Sequence, residues 1–148
     1  MKMLKGINWV AVLVAVVLLE ILGYLWYGPL MGKSWTEAYQ ASMGHAPDMS
    51  RVAVNQSLGV VNTLILTVGL AWVIRHWNLS GGRAVALAVA LWLVFDFTTM
   101  SLDYLYMGLG GRLVLINMAY QLIAYAVAGA VLALMPGRAT VSKSELGT

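Results

Sequence analysis

Three carboxylates stand inside long apolar runs of this chain: Glu20, Asp96 and Asp103. A charged side chain at bilayer depth costs a few kcal/mol on insertion scales, so an acid there needs a proton, a cation or a hydrogen-bonding partner. At ~1.5 Å per residue from the C-terminal end of its run, Glu20 lies about 8–10 Å deep, Asp96 about 15 Å and Asp103 about 5 Å. No Lys or Arg occurs at the depth of Asp96 in any run. That leaves a proton, water, a cation or a substrate as its partner. Asp103 is close enough to the interface to be hydrated or to pair with Arg112, and Glu20 has a neighbouring subunit or a bound proton as its alternatives. Trp92, Asp96, Thr99 and Asp103 follow a 4-3-4 spacing that places them on one helix face. Asn55, Gly59, Asn62, Leu66 and Gly69 make a similar seam, and Asn117, Gln121, Ala124 and Ala128 another. The candidate ligand-binding set is Asp96 and Glu20, with Asn62, Asn117 and Gln121 as polar neighbours and Trp92 and Tyr120 as aromatic lining. The competing reading is structural, because amides and hydroxyls bridge membrane helices at about 0.6 kcal/mol each with no ligand involved.

Other chemistries lack their parts. The chain has no cysteine, hence no disulfide, thiolate metal site or redox dithiol. His45 and His76 are far apart along the chain, and no Glu-x-x-His pair exists for a carboxylate dimetal centre. No serine stands near either histidine within a run. No catalytic set, metal or cofactor is expected. The net charge of +3 includes no Lys/Arg run to grip nucleic acid.

The elements that must position these groups follow from composition. Of 148 residues, 61% are hydrophobic and 10% charged, with a mean hydropathy of +0.80. Soluble domains carry about 25% charged residues. Four apolar runs, at about 7–27, 52–74, 84–106 and 113–135, each suit the ~20 residues of a bilayer crossing. Self-satisfied helices are the economical backbone for them, and the period-2 pattern of a β-barrel is missing. The expected fold is an all-α membrane protein, a single domain of four transmembrane helices in a bundle. The first run is too long for a signal-peptide core and is followed by no clear cleavage site, so it reads as an uncleaved helix. Lys2, Lys5, Arg75, Arg83, Arg138 and Lys143 fall on one side, and Lys33, Arg51 and Arg112 on the other. The basic excess places both termini in the cytoplasm, so the polar groups gather in the outer half. In the first loop, Ser34-Trp35-Thr36-Glu37 fits a capping box. Helical spacing then predicts a short interfacial helix over 35–43, with Trp35 and Tyr39 at headgroup level. Residues 138–148 read as a mobile polar tail.

Several of these stretches resemble a known family. They are Ile7-Asn8-Trp9, Trp26-Tyr27-Gly28-Pro29-Leu30-Met31-Gly32-Lys33-Ser34-Trp35, Leu91-Trp92-Leu93-Val94-Phe95, and Ile116-Asn117 followed by Tyr120. Together they are similar to the small bacterial membrane proteins of domain-of-unknown-function family seventeen sixty-one. Gly28 stands where that family has serine, and Val94 where it has glycine. The resemblance implies a four-helix membrane fold, with looser or shifted packing at Val94, and lends no activity.

Three functions fit the residues. One is a binding or transport-type protein whose outward pocket takes a cation, a proton or an amphipathic molecule, with a homo-oligomer supplying any full path. Another is a structural or accessory subunit packed against other membrane proteins. The least supported is an intramembrane enzyme using Glu20 and Asp96 as acid and base. The expected location is a bacterial inner membrane.

Overall fold

The computed structural model describes residues 6–137. The expected tail and the charges Lys2, Lys5, Arg138 and Lys143 lie outside the described residues. Asn8 starts α1 (Trp9–Leu25): its side-chain oxygen accepts from the amides of Val10 and Ala11 at 3.1 and 3.3 Å. Pro29 has no amide proton to continue an α-helical ladder, and the chain leaves α1 through a π-helical turn, Trp26–Leu30, kinked at Gly28. It re-enters helix almost at once as α2 (Gly32–Met43), which Gly44 stops in the left-handed region at φ 76°.

Three more long helical stretches follow. α3 is Val52–His76. Just before it, the amide of Ser50 donates to Asp48 at 2.8 Å. The Ser50 hydroxyl and amide together hold the Asp48 carboxyl below the usual carboxylate range. The third stretch is α4 (Gly82–Leu91), a π-helical segment Trp92–Phe97 and α5 (Thr98–Met107) without a break. α6 (Gly111–Leu134) completes the described fold and ends just before Pro136. Four stretches, Trp9–Leu30, Val52–His76, Gly82–Met107 and Gly111–Leu134, are long and apolar enough to cross a membrane, and no strand occurs among the described residues.

α6 is the hub of the bundle, touching α1, α2, α3 and α4, with α3 packed on α1. The core gathers at the end bearing Gly6 and Gly137, around Ala11, Val12, Leu19, Leu70, Ala84, Ala88, Ala124 and Ala128. Small residues let backbones approach where lipid-like surfaces give no hydrophobic drive. A Cβ placed on Gly129 would stand 2.9 Å from the Ala88 Cβ and 3.2 Å from the Val85 Cα, so α4 and α6 cross in near backbone contact. The same end is tied by the Asn8 side-chain amide donating to the Met135 carbonyl at 3.2 Å, and by Arg75 donating to the Gly6 carbonyl.

Five local expectations are corrected. The capping box does not form. α2 starts at Gly32 with no side-chain cap, so Ser34 already sits inside the helix, and Glu37 instead pairs with Arg112 at 3.3 Å. That contact also takes Arg112 in place of the expected Asp103. The seam Asn55-Gly59-Asn62-Gly69 is not an interface within the chain: all four residues are exposed, and the buried face of α3 is Thr67, Leu70, Ala71 and Ile74. Trp92, Asp96, Thr99 and Asp103 do not share one face. The inward row reads Ala84, Ala88, Trp92, Asp96, Met100, Tyr104, a constant spacing of four, while Thr99 and Asp103 are exposed. In an α-helix each step of four drifts by about 40°; the wider π turn takes back that drift. Val94 lies on that π segment and is 57% exposed, so it loosens no helix contact.

Candidate functional site

Two groups of side chains occupy the half of the bundle that carries α2. The first centres on Asn117, one turn and a half into α6. Its side-chain oxygen accepts from the Tyr27 hydroxyl and from the Trp35 indole, both at 3.2 Å, and its amide donates to the Tyr104 hydroxyl at 3.2 Å. Each partner arrives on a different element: the π turn after α1, α2 and α5. α2 reaches the hub because Ala38 is buried against Leu113 and Ile116. The Ser42 hydroxyl further accepts from the Gly110 amide at 3.0 Å. Rings wrap the hub. Tyr27 lies 5.0 Å from Tyr120 and 5.8 Å from Trp35, edge-on to the latter, and Trp26 lies 6.4 Å from Tyr120. These are ordinary separations for attractive aromatic pairs. Trp35 and Tyr39 are therefore half-buried packing residues, their rings tilted by 36° with centroids 5.3 Å apart.

The second group sits on the π segment. Asp96 is half-buried, and its Oδ2 is fully enclosed with no hydrogen-bond partner among the described residues. Trp92, four residues earlier, is buried with its indole Nε1 in the same condition, and its ring packs 5.4 Å from Phe97. Tyr125 of α6 lies within Coulombic reach of Asp96. A buried acceptor and a buried donor one turn apart, both unmatched, are uncommon in folded proteins, and π segments are frequent at functional sites.

The remaining candidates are distributed. Glu20, half-buried on α1, lies within Coulombic reach of Tyr120. Gln121 is half-buried and makes no side-chain hydrogen bond among the described residues, while Asn62 is exposed on α3 and bonds to none of the others. The structure thus joins Asn117 and Tyr120 in the hub and Trp92 with Asp96 on the π segment, with Glu20 beside Tyr120. No group of three metal-ligating side chains occurs among the described residues.

The family model described as a protein of unknown function (DUF1761) matches residues 10–133. The chain belongs to that family. The DUF1761 match runs from the first turn of α1 to the last turn of α6, so it takes in the hub, the π segment and every candidate residue. No curated protein and no solved structure matches the chain.

Sequence reasoning missed Tyr27, Trp35 and Tyr104 as members of the hub. Tyr27 and Trp35 are of types that suggest belt anchors, and the docking of α2 on α6 turns the Trp35 indole inward, while Tyr104 reaches the hub from α5. It also missed a cavity of about 420 Å³ at the opposite end, lined in part by Asn8, Arg75, Asn78 and Leu132. The signal available was Asn8 ahead of the apolar run and Arg75 at the end of the second.

Proposed function

We propose that this protein is a membrane-embedded binding protein, extended to transport when oligomeric, whose guest is a small cation, a proton or a cationic amphipathic molecule held at Asp96. The observation that carries the reading is the enclosed, unpartnered Asp96 Oδ2 on the π segment. A carboxylate at such depth is retained when something with positive charge uses it. Trp92, one turn earlier on the same segment, and Tyr125, within Coulombic reach on α6, supply aromatic groups of the kind that attract cations. Glu20, near Tyr120, is a second acid for the same guest. The Asn117 hub contributes rigidity, since both lone pairs of its oxygen are already engaged.

The setting of this proposal is a bacterial inner membrane with both termini in the cytoplasm. Six basic residues on the side of the termini against three opposite support that orientation. An accessory role in a larger membrane complex is the second reading, favoured by the third span burying the least of itself among the four.

Native mass spectrometry from gentle detergent, paired with titration by tetraphenylphosphonium as a lipophilic cation, separates these readings. In wild type we expect a reproducible extra mass or saturable binding of the probe. Asp96→Asn should weaken either by at least about tenfold with an unchanged unfolding temperature. A ligand-free mass and equal probe affinity in both proteins overturn the binding reading. Co-purification of a larger complex, indifferent to Asp96→Asn, establishes the accessory one.

A further inference from the structure

The first half of α3 is exposed on every side. Each residue at 51–62 is exposed, including Leu58 at 63%, and contact with α1 is confined to the second half around Leu70, Ala71 and Ile74. An apolar helix facing lipid would need no partner, but this stretch is not wholly apolar. Its hydroxyls are satisfied within the helix: Ser57 donates to the Ala53 carbonyl at 2.9 Å, Thr63 to Gly59 at 3.0 Å and Thr67 to Thr63 at 2.7 Å. Its amides are not. Asn55, Gln56 and Asn62 make no side-chain hydrogen bond among the described residues. Asn62 lies ten residues into α3, about 15 Å along its axis, which is mid-depth in a hydrocarbon layer of about 30 Å. An unsatisfied amide at that depth costs several kcal/mol.

We infer that α3 of one copy pairs with α3 of a second copy of this chain along Asn55, Gly59, Asn62 and Gly69, with Leu66, half-buried against the chain's own core, at the margin of the pair. The chemistry selects a second copy. A carboxamide carries both donors and acceptors, so the same residue pairs with itself across a two-fold axis, which neither a carboxylate nor an ammonium does. Two copies inserted in the same direction have that axis along the membrane normal, and it opposes Asn62 to Asn62 and Asn55 to Asn55. The 4-3-4-3 spacing is that of a left-handed helix pair, in which one polar seam residue fixes register and copy number. A Cβ added at Gly59 or Gly69 meets nothing within 4 Å in the chain itself, so both glycines leave room for a close helix.

The absence of cysteine makes the test clean. Gly59→Cys on the seam and Val61→Cys about 120° off it by helix geometry are oxidised in native membranes. We expect a disulfide-linked dimer from Gly59→Cys and none from Val61→Cys. Asn62→Leu should weaken self-association about three- to tenfold per amide pair, measured by energy transfer between labelled copies in bilayers. Asn62→Gln, which keeps the amide, should restore it, and the unfolding temperature of each monomer should stay as in wild type. Equal cross-linking at both positions, monomer at every concentration, an unaltered Asn62→Leu, or capture of a different protein at Gly59→Cys overturns the inference.

Discussion

Asn117 spends its polar capacity on three other elements, and the energetic consequence is specific. Replacing it by leucine leaves the Tyr27 hydroxyl, the Trp35 indole and the Tyr104 hydroxyl without their partner. A half-buried donor or acceptor left unmatched costs about 1–3 kcal/mol. We expect Asn117→Leu to lose at least that much stability in detergent unfolding, whereas Gln121→Leu, which removes no bond, should stay within about 0.5 kcal/mol of wild type. That Asn117 and Asp96 are polar side chains inside apolar runs was legible in the sequence. The identity of the partners was not. Tyr27 and Trp35 lie at the end of one helix and the start of another, where aromatic residues commonly anchor to headgroups. Whether their polar tips face water or Asn117 depends on a tertiary contact, Ala38 against Leu113 and Ile116.

At the level of elements, the two π-helical stretches are what periodicity could not anticipate. A π turn acts as one extra residue in an α-helix; Gly28-Pro29 marks the first one, but Trp92–Phe97 carries no such mark, so a strict 3.6-residue period projected Thr99 and Asp103 inward. The segment Trp92–Phe97 instead brings Met100 and Tyr104 onto the row of Ala84 and Ala88. Deleting Val94, which is exposed and packs on nothing central, should convert that stretch to α-helix while leaving α5 in register, because the π turn is what absorbs the one extra residue. Tyr104 would then still reach Asn117. The expected result is a deletion variant that inserts, keeps its helical content and stays within about 1 kcal/mol of wild type, read by circular dichroism and thermal unfolding. A loss of about 1–3 kcal/mol would mean that the bulge does not set the register. The four spans themselves were readable to within a few residues, since length and apolarity alone determine them.

For the whole molecule, cohesion is uneven. Small residues and the Asn8 and Arg75 contacts tie one end together around its cavity, while the other holds through the hub and through α2. Asn8→Ala removes both the cap of α1 and the bond to Met135. Caps are worth about 0.5–2 kcal/mol, and the added loss of a tie across the bundle should bring the cost to the upper part of that range, measured by denaturant unfolding. The small-residue packing of that end was partly legible in the alanine and glycine content of the fourth span. The exposed first half of α3 was not, because nothing local in its spacing tells a face packed within the chain from one that is not. That α6 touches α1, α2, α3 and α4 also sets when the bundle can close. It is the last of the four spans to leave the ribosome, so the earlier three wait in the bilayer without their common neighbour. A polypeptide cut short in the loop before α6 would keep Tyr27, Trp35 and Tyr104 with no amide to bind, and α4 with its alanines facing nothing. Such a fragment is the kind of substrate that membrane quality-control proteases remove, so late truncations should abolish the protein at the level of its abundance.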